Sequence, residues 1–298
     1  MRVTNSMKLN TSLNGISSNL KKFMTSVNQG NTGKKVTKPS DNAFDIGDIL
    51  ISRKDIKYNE QYQKNIDEVS GHLNMTDSSL RNMTDMLHRV KELALQASND
   101  IVTQEGLNAI ASEISQIKKE IGTIANTKYN GKYIFGGIEL NMPPYDETLE
   151  NWQLPESAMK DILIDVDCNT SISMNVNGSN IFNGTGNSRN IFDLLSDLDK
   201  NLIDGDYDSI RNRLNEIDDC IDSVLFVQAD VGAKINRIDI ISTKIEDCTV
   251  LFKENLSNKE DADLTEVIIN MTESENAYNA SLAISNKLMS LSILNFMN

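Results

Sequence analysis

Two histidines, His72 and His88, are all that 298 residues offer, and they stand sixteen positions apart on one predicted helix. That spacing supplies no metal-ligand pair, so both read as ordinary surface or seam positions. The three cysteines, Cys168, Cys220 and Cys248, show no CxxC spacing, which leaves neither a disulfide framework nor a zinc site. Cys220 and Cys248 fall inside helical patterns, where cysteine acts as a small, half-buried hydrophobe. Gly131, Gly136 and Gly137 lack the GxxxxGK spacing of a phosphate loop. Asp204, Asp206 and Asp208 open like a calcium loop, but Ser209 stands where that loop needs glycine and Asn215 where it needs a bidentate glutamate. Asp165, Asp167 and Asn169 fail the same test. No nucleophile, base and orienting acid can be assembled. The expectation is a chain with no catalytic residue, no metal and no cofactor, hence not an enzyme.

Other shortages narrow the partners. No run of eighteen uncharged apolar residues occurs, so no membrane span is expected, and the N-terminus lacks the apolar core of a cleavable signal peptide. A net charge of -14 argues against a nucleic-acid surface, which needs a clustered basic face. Aromatics reach only 5%, with one Trp and four Pro, which suits long amphipathic helices better than a compact aromatic core.

What the chain has in quantity is apolar residues at alternating steps of three and four. Leu9, Leu13, Ile16, Leu20, Phe23 and Val27 form one stripe on a first helix. A lone helix of this kind is marginal in water, so the stripe requires a covering partner. The candidate is the far end of the chain, where Leu264, Ile268, Met271, Tyr278, Leu282, Met289 and Phe296 repeat the pattern and Ile284, Leu288 and Leu291 widen it. Charge agrees: residues 1–38 carry Arg2, Lys8, Lys21, Lys22, Lys34, Lys35 and Lys38 with no acid, whereas 255–298 carry six acids against Lys259 and Lys287. Exposed pairs of this sort contribute only roughly 0–1 kcal/mol each. The acid-free, serine-containing N-terminus also has the composition of an organellar transit peptide, an alternative that composition leaves open.

Between the ends, residues 29–40 read as a linker, with Pro39 and an N-cap at Ser40 or Asp41. A loosely patterned helix then tightens into Ile66, Val69, Leu73, Thr76, Leu80, Met83, Leu87, Val90, Ala94 and Ala97. After a turn at Ser98–Asp100, Leu107, Ile110, Ile114, Ile117, Ile121 and Ile124 fold back antiparallel. Residues 129–137 carry the Asn130-Gly131 turn of a β-hairpin. Residues 138–189 are least helical and predict two strands, around 162–166 and 172–176, joined across 167–170. Helix resumes at Ile191 and, after Gly205, runs from Tyr207 to Leu256, with Gly232 a point where it could kink. The fold class expected is mainly α, a long antiparallel helical bundle or coiled coil formed by the N- and C-terminal halves, with a small inserted β-rich module. Three parts are expected: a terminal coiled-coil unit of 1–40 plus 255–298, a helical rod of 41–137 plus 190–254 bearing the hairpin, and the module at 138–189. The two stripes predict terminal-helix and assembly contacts at Leu9, Leu13, Ile16, Leu20, Phe23, Val27, Met271, Tyr278, Leu282, Met289 and Phe296, with neighbouring copies covering what the pair leaves open.

Several local segments resemble the bacterial flagellin family. Thr32-Gly33-Lys34-Lys35-Val36 followed by Ser40-Asp41-Asn42-Ala43 is similar to its N-terminal Thr-Gly to Ser-Asp-Asp stretch. Glu92 to Asn99, ELALQASN, is similar to its Glu-Leu-x-x-Gln-Ala-Ser-Asn segment, Asn126 to Gly131 to its Asn-Thr-x-Phe-Asn-Gly, and Val231 to Arg237 to its Val-Gly-Ala-x-x-Asn-Arg. Asp261-Ala262-Asp263-Leu264 completes the series. Gly131 to Gly137, Ser171 to Phe182 and Leu294-Asn295-Phe296 resemble the members at the junction between hook and filament more than flagellin itself. The resemblance implies a structural subunit exported unfolded through the type III apparatus to the extracellular flagellum. It implies a ring of self-associated copies between the first hook-associated junction protein and flagellin, and an export chaperone on the C-terminal helix. A short flagellin, or a non-flagellar helical adaptor or signalling rod, are the alternative readings.

Overall fold

The computed structural model describes residues 5–99, 102–146, 151–154, 160–182 and 189–297, without the side chains of 5, 6, 8, 9, 151, 180 and 288–297. Seven helices, α1 (Asn5–Thr32), α2 (Asp45–Ala97), α3 (Gln104–Ala125), α4 (Gly178–Phe182), α5 (Ile191–Asp204), α6 (Tyr207–Glu260) and α7 (Leu264–Met297), account for most of it. Three antiparallel strand pairs complete it: β1 (Lys128–Tyr129) with β2 (Lys132–Tyr133), β3 (Tyr145–Asp146) with β4 (Asn151–Trp152), and β5 (Leu163–Asp167) with β6 (Thr170–Ser173). The fold is mainly α with a small β content, as the periodicity predicted. The chain divides into two units, residues 1–58 with 247–298 and residues 59–246, and α2 and α6 contribute to both.

In the larger unit the predicted seams are the core. Ile66, Val69, Leu73, Thr76, Leu80, Met83, Leu87, Val90, Ala94 and Ala97 are all buried. Thr76 fits this apolar row because its hydroxyl donates to the His72 carbonyl one turn earlier, at 2.9 Å, and leaves no unpaired polar group. Leu107, Ile110, Ile114, Ile117 and Ile121 of α3 are buried likewise. α2 and α6 run antiparallel, since Gln63 meets Ser242, Asp77 meets Gln228 and Lys91 meets Asp218, so that positions rise on one helix as they fall on the other. Gly232 does not interrupt α6, which is continuous from Tyr207 to Glu260. A helix packed along one side is held by its seam, and one glycine costs only about 1 kcal/mol.

The turns follow their residue chemistry. Asn130 and Gly131 both have positive φ, the conformation a two-residue hairpin loop requires. Asp206 caps α6 by accepting from the Ser209 amide and hydroxyl, so the acidic cluster at 204–208 is a helix start. Asp167 pairs with Lys244 at 2.6 Å. The β5–β6 hairpin lies where a pair of strands was expected, but its second strand is Thr170–Ser173 and not 172–176, and its turn is the tighter Cys168-Asn169.

Two asparagines, the half-buried Asn126 and the buried Asn175, organise the irregular 138–189 segment. Asn126, which caps α3, donates to the Tyr145 carbonyl and accepts from the Tyr145 amide. Asn175 does the same for the Ile162 amide and Lys160 carbonyl. Around them the few aromatics collect: Phe182 lies 5.4 Å from Phe135, 4.9 Å from Trp152 and 5.8 Å from Phe192, ring centre to ring centre, and Tyr145 stacks on Phe192. Gly178 is required there, since a Cβ would fall 2.6 Å from Trp152 Cη2 and 2.8 Å from the Phe135 carbonyl oxygen. His72 is a seam residue, buried with its ring edge-on to Tyr129. Burial pushes its imidazole below the usual range, against an opposing pull from the Met174 carbonyl. His88 is exposed. Cys220 is buried, and desolvation pushes its thiol up to about 12, which leaves it unreactive at neutral pH.

Candidate assembly surface

The smaller unit joins the two ends of the chain. α1 and α7 pack antiparallel: the Asn19 side-chain amide donates to the Ala277 carbonyl at 3.3 Å, and a Cβ on Gly30 would rest 3.6 Å from Val267 Cγ1. The face of α1 turned to α7 therefore follows Ser12, Asn19, Ser26 and Gly30, spaced seven, seven and four, and Ser26 is buried. The answering line on α7 is Val267, Ser274, Ser281 and Ser285, of which Val267 and Ser285 are buried. Small and polar side chains, not the apolar stripes, form the centre of this helix pair.

At about 100° per residue the apolar stripe of α1 lies roughly 70° around the helix from that contact line. Burial follows the rotation. Ile16, Phe23 and Val27, nearest the line, are half-buried, while Leu13, Leu20 and Met24, farther round, are 52%, 39% and 49% exposed. On α7 the half-buried Met271, Tyr278 and Leu282 and the exposed Leu264 and Ile268 are displaced from their line by a similar angle. The displacement has the same sense along both helices. Because the helices are antiparallel, both stripes emerge on the same side of the pair, which presents one continuous apolar face. The opposite side is a polar groove lined by Lys21, Lys22, Thr25, Asn270 and Glu273. Ile284 is exposed on the other flank of the α7 line. Leu9, Leu288, Met289, Leu291 and Phe296 have side chains outside the described residues.

A joint fixes the register of this pair, and sequence reading missed it. The segment expected as a plain linker instead carries α1 as far as Thr32 and then docks on the α6–α7 turn. Gly33, with φ +68°, turns the chain so that Lys34 bridges Asp261. The Lys35 amide donates to the Glu260 carbonyl at 2.8 Å and the Ala262 amide to the Gly33 carbonyl at 2.9 Å. The Glu260 side chain is 2% exposed and is held by Lys34 Nζ and by a two-pronged guanidinium contact from Arg53, whose Nε donates at 3.1 Å. Lys259 pairs with Asp48 beside it. Arg53 and Glu260 are 207 residues apart, so nothing in the local pattern could match them. The expected attraction between basic N-terminus and acidic C-terminus is concentrated at this joint. Lys21 and Lys22 make no ion pair among the described residues.

Desolvation pushes the Glu260 carboxyl up, but hydrogen bonds from Arg53 and Lys34 outweigh it and hold the group below its ordinary 4.5. A lowered carboxyl stabilises the fold above the unfolded value and loses that contribution as pH falls through the folded one. Glu260→Gln should cost about 1.5–3 kcal/mol locally, less than a fully buried pair, because Lys34 and Arg53 are 41% and 48% exposed and regain water. Hydrogen exchange at residues 33–36 and 259–262 should then show faster opening at pH 7 and little further change below pH 4.5, where the parent chain loosens. Equal exchange in both proteins at pH 7 would contradict this.

Residues 3–139 match the bacterial flagellin N-terminal helical region. The chain is 23% identical to flagellar hook-associated protein 3 of Salmonella typhimurium, over 94% of this chain and 95% of that one. It is 25% identical to a flagellin of Listeria innocua, over 90% of each. Its fold is that of a flagellar hook-associated protein structure from Vibrio parahaemolyticus, with a TM-score of 0.67 and 16% identity, covering 74% of this chain and all of the other.

Proposed function

We propose, from the premise that residues 3–139 are a bacterial flagellin N-terminal helical region, that this chain is a structural subunit of the bacterial flagellum forming the junction between hook and filament. Near-full-length similarity to a hook-associated protein 3 supports the junction over the filament. The observation that carries the reading is the continuous apolar face shared by α1 and α7. A helix pair whose own contact is small and polar keeps its leucines and methionines for another molecule, and an exposed face of this extent marks an interaction site. Leu13, Ile16, Leu20, Phe23, Val27, Met271, Tyr278 and Leu282 are the proposed contacts, together with Leu9, Met289 and Phe296.

In this reading the copies associate as a ring, with the first hook-associated junction protein on one side and flagellin on the other. The subunit is exported to the extracellular flagellum through the type III apparatus, its C-terminal helix held by a chaperone beforehand. The terminal unit (1–40 and 255–298) performs assembly, the helical part (41–137 and 190–254) spaces it, and the 138–189 module is an insertion. Catalysis has no part in it. Similarity to a Listeria flagellin keeps a filament subunit as the second reading. Mixing the purified chain with isolated hook ends and with flagellin separates them. The junction reading requires capping of hook ends, growth of flagellin beyond the cap and no filaments of the chain alone. Filaments grown from the chain alone would establish the second reading instead.

A further inference from the structure

A second apolar row lies in the same unit, at the start of α2. Phe44, just ahead of the helix, is 88% exposed, and Ile51 and Tyr58 follow at seven-residue steps, also exposed. The row is not a stray edge of the core. At about 100° per residue it points directly away from the α2 face that carries the buried Ile49 and the Arg53 bound to Glu260. Among the described residues its own chain meets the row at Tyr58, where the Lys54 ammonium lies 5.3 Å from the ring centre, and leaves Phe44 and Ile51 88% and 58% exposed. Asp48 and Asp55 fill the four-and-three steps between the three apolar residues, so the row alternates oily and acidic positions. Asp48 is taken by Lys259, whereas Asp55 pairs with no described residue.

The exposed edge of α1 has the matching form. Leu13 and Leu20 are exposed seven residues apart, Met24 follows one turn later, and Lys21, on the rim this edge shares with the polar groove, is unpaired among the described residues. Two helical rows with a common seven-residue repeat interlock as knobs and holes along their length, and flanking charges choose the partner. α1 brings cations only, since no acid precedes Asp41. The α2 row offers an unpaired carboxylate between its apolar knobs.

We infer that the Phe44, Ile51, Tyr58 row of one copy is the docking strip for the Leu13, Leu20, Met24 edge of α1 from a second copy. This rests on the assembly reading above and adds which surfaces meet. Because the two patches differ, the contact is head-to-tail, the kind that closes into a ring or continues as a helix and does not stop at a dimer.

The test uses the full chain at concentrations where sedimentation shows association. A photo-crosslinking benzoylphenylalanine replaces Phe44, and the labelled protein is mixed with an isotopically heavy copy so that crosslinks between copies are distinguished from those within one. Expected are light-to-heavy crosslinks from position 44 to residues 13–24. Asp55→Lys should weaken association by about threefold to tenfold, and combination with Lys21→Glu should restore it. Crosslinks landing elsewhere on the second copy, or association unchanged in Asp55→Lys, would overturn the pairing while leaving assembly intact. A chain that neither associates at any concentration nor caps hook ends would overturn both.

Discussion

Phe182→Ala removes about 3–5 kcal/mol from the larger unit. Phe182 is fully buried, and its ring touches three others that arrive from separate segments: Phe135 after β2, Trp152 on β4 and Phe192 on α5. Among the described residues no regular sheet or long helix ties those segments together, since β3–β4 is two residues per strand and α4 has five. The stacked rings therefore carry much of what backbone hydrogen bonding carries elsewhere, and each pair adds about 0.5–1.5 kcal/mol beyond its area. Truncation leaves a cavity that rigid neighbours cannot close. The single tryptophan in the sequence is one of those neighbours, so fluorescence reads the site directly. Denaturation followed by Trp152 fluorescence should shift further than denaturation followed by helical ellipticity, because the long α2–α6 seam is untouched. A shift of both probes below about 1 kcal/mol would remove the cluster from its organising role.

Replacing Leu13 and Leu20 together by Asp should abolish assembly and leave the monomer as stable as before. Both side chains are substantially exposed, so their loss from the folded monomer is a surface change, within about 0.5 kcal/mol each. On assembly each would otherwise bury its remaining exposed surface, worth about 0.6–1.6 kcal/mol, and a carboxylate in its place must be desolvated at further cost. Together these terms weaken association by at least about a hundredfold. Thermal denaturation measures the first claim, and sedimentation with hook-end capping the second. Thr25→Asp, on the polar side of the same helix, is the control and should change association by no more than about twofold. A large fall in monomer melting temperature with the double variant would mean that these leucines belong to the chain's own core.

The contrast between these two variants follows from how each region is encoded. Ile66 to Ala97 and Leu107 to Ile121 are buried throughout because a three-and-four repeat is a local property, satisfied by any helix and read directly from spacing. The same repeat located α1 and α7 and did not reveal which way their stripes face. That direction is set by Asn19, Ser26, Gly30, Val267 and Ser285, small or polar residues that carry no periodic hydrophobic signal and let two backbones approach. The aromatic cluster was similarly hidden. Trp152, Phe182 and Phe192 sit in segments without a shared pattern and are assembled by hydrogen bonds from Asn126 and Asn175 that spacing does not predict.

Sequence by itself determined the helices, their seams and the Asn130-Gly131 hairpin, because each depends on residues within a few turns of one another. Tertiary structure alone decided the clasp of Lys34 and Arg53 on Glu260, and with it the register that turns the α1 and α7 stripes to one common side. Those outcomes depend on groups more than two hundred positions apart meeting at hydrogen-bond distance, and no repeat along the chain encodes such a meeting.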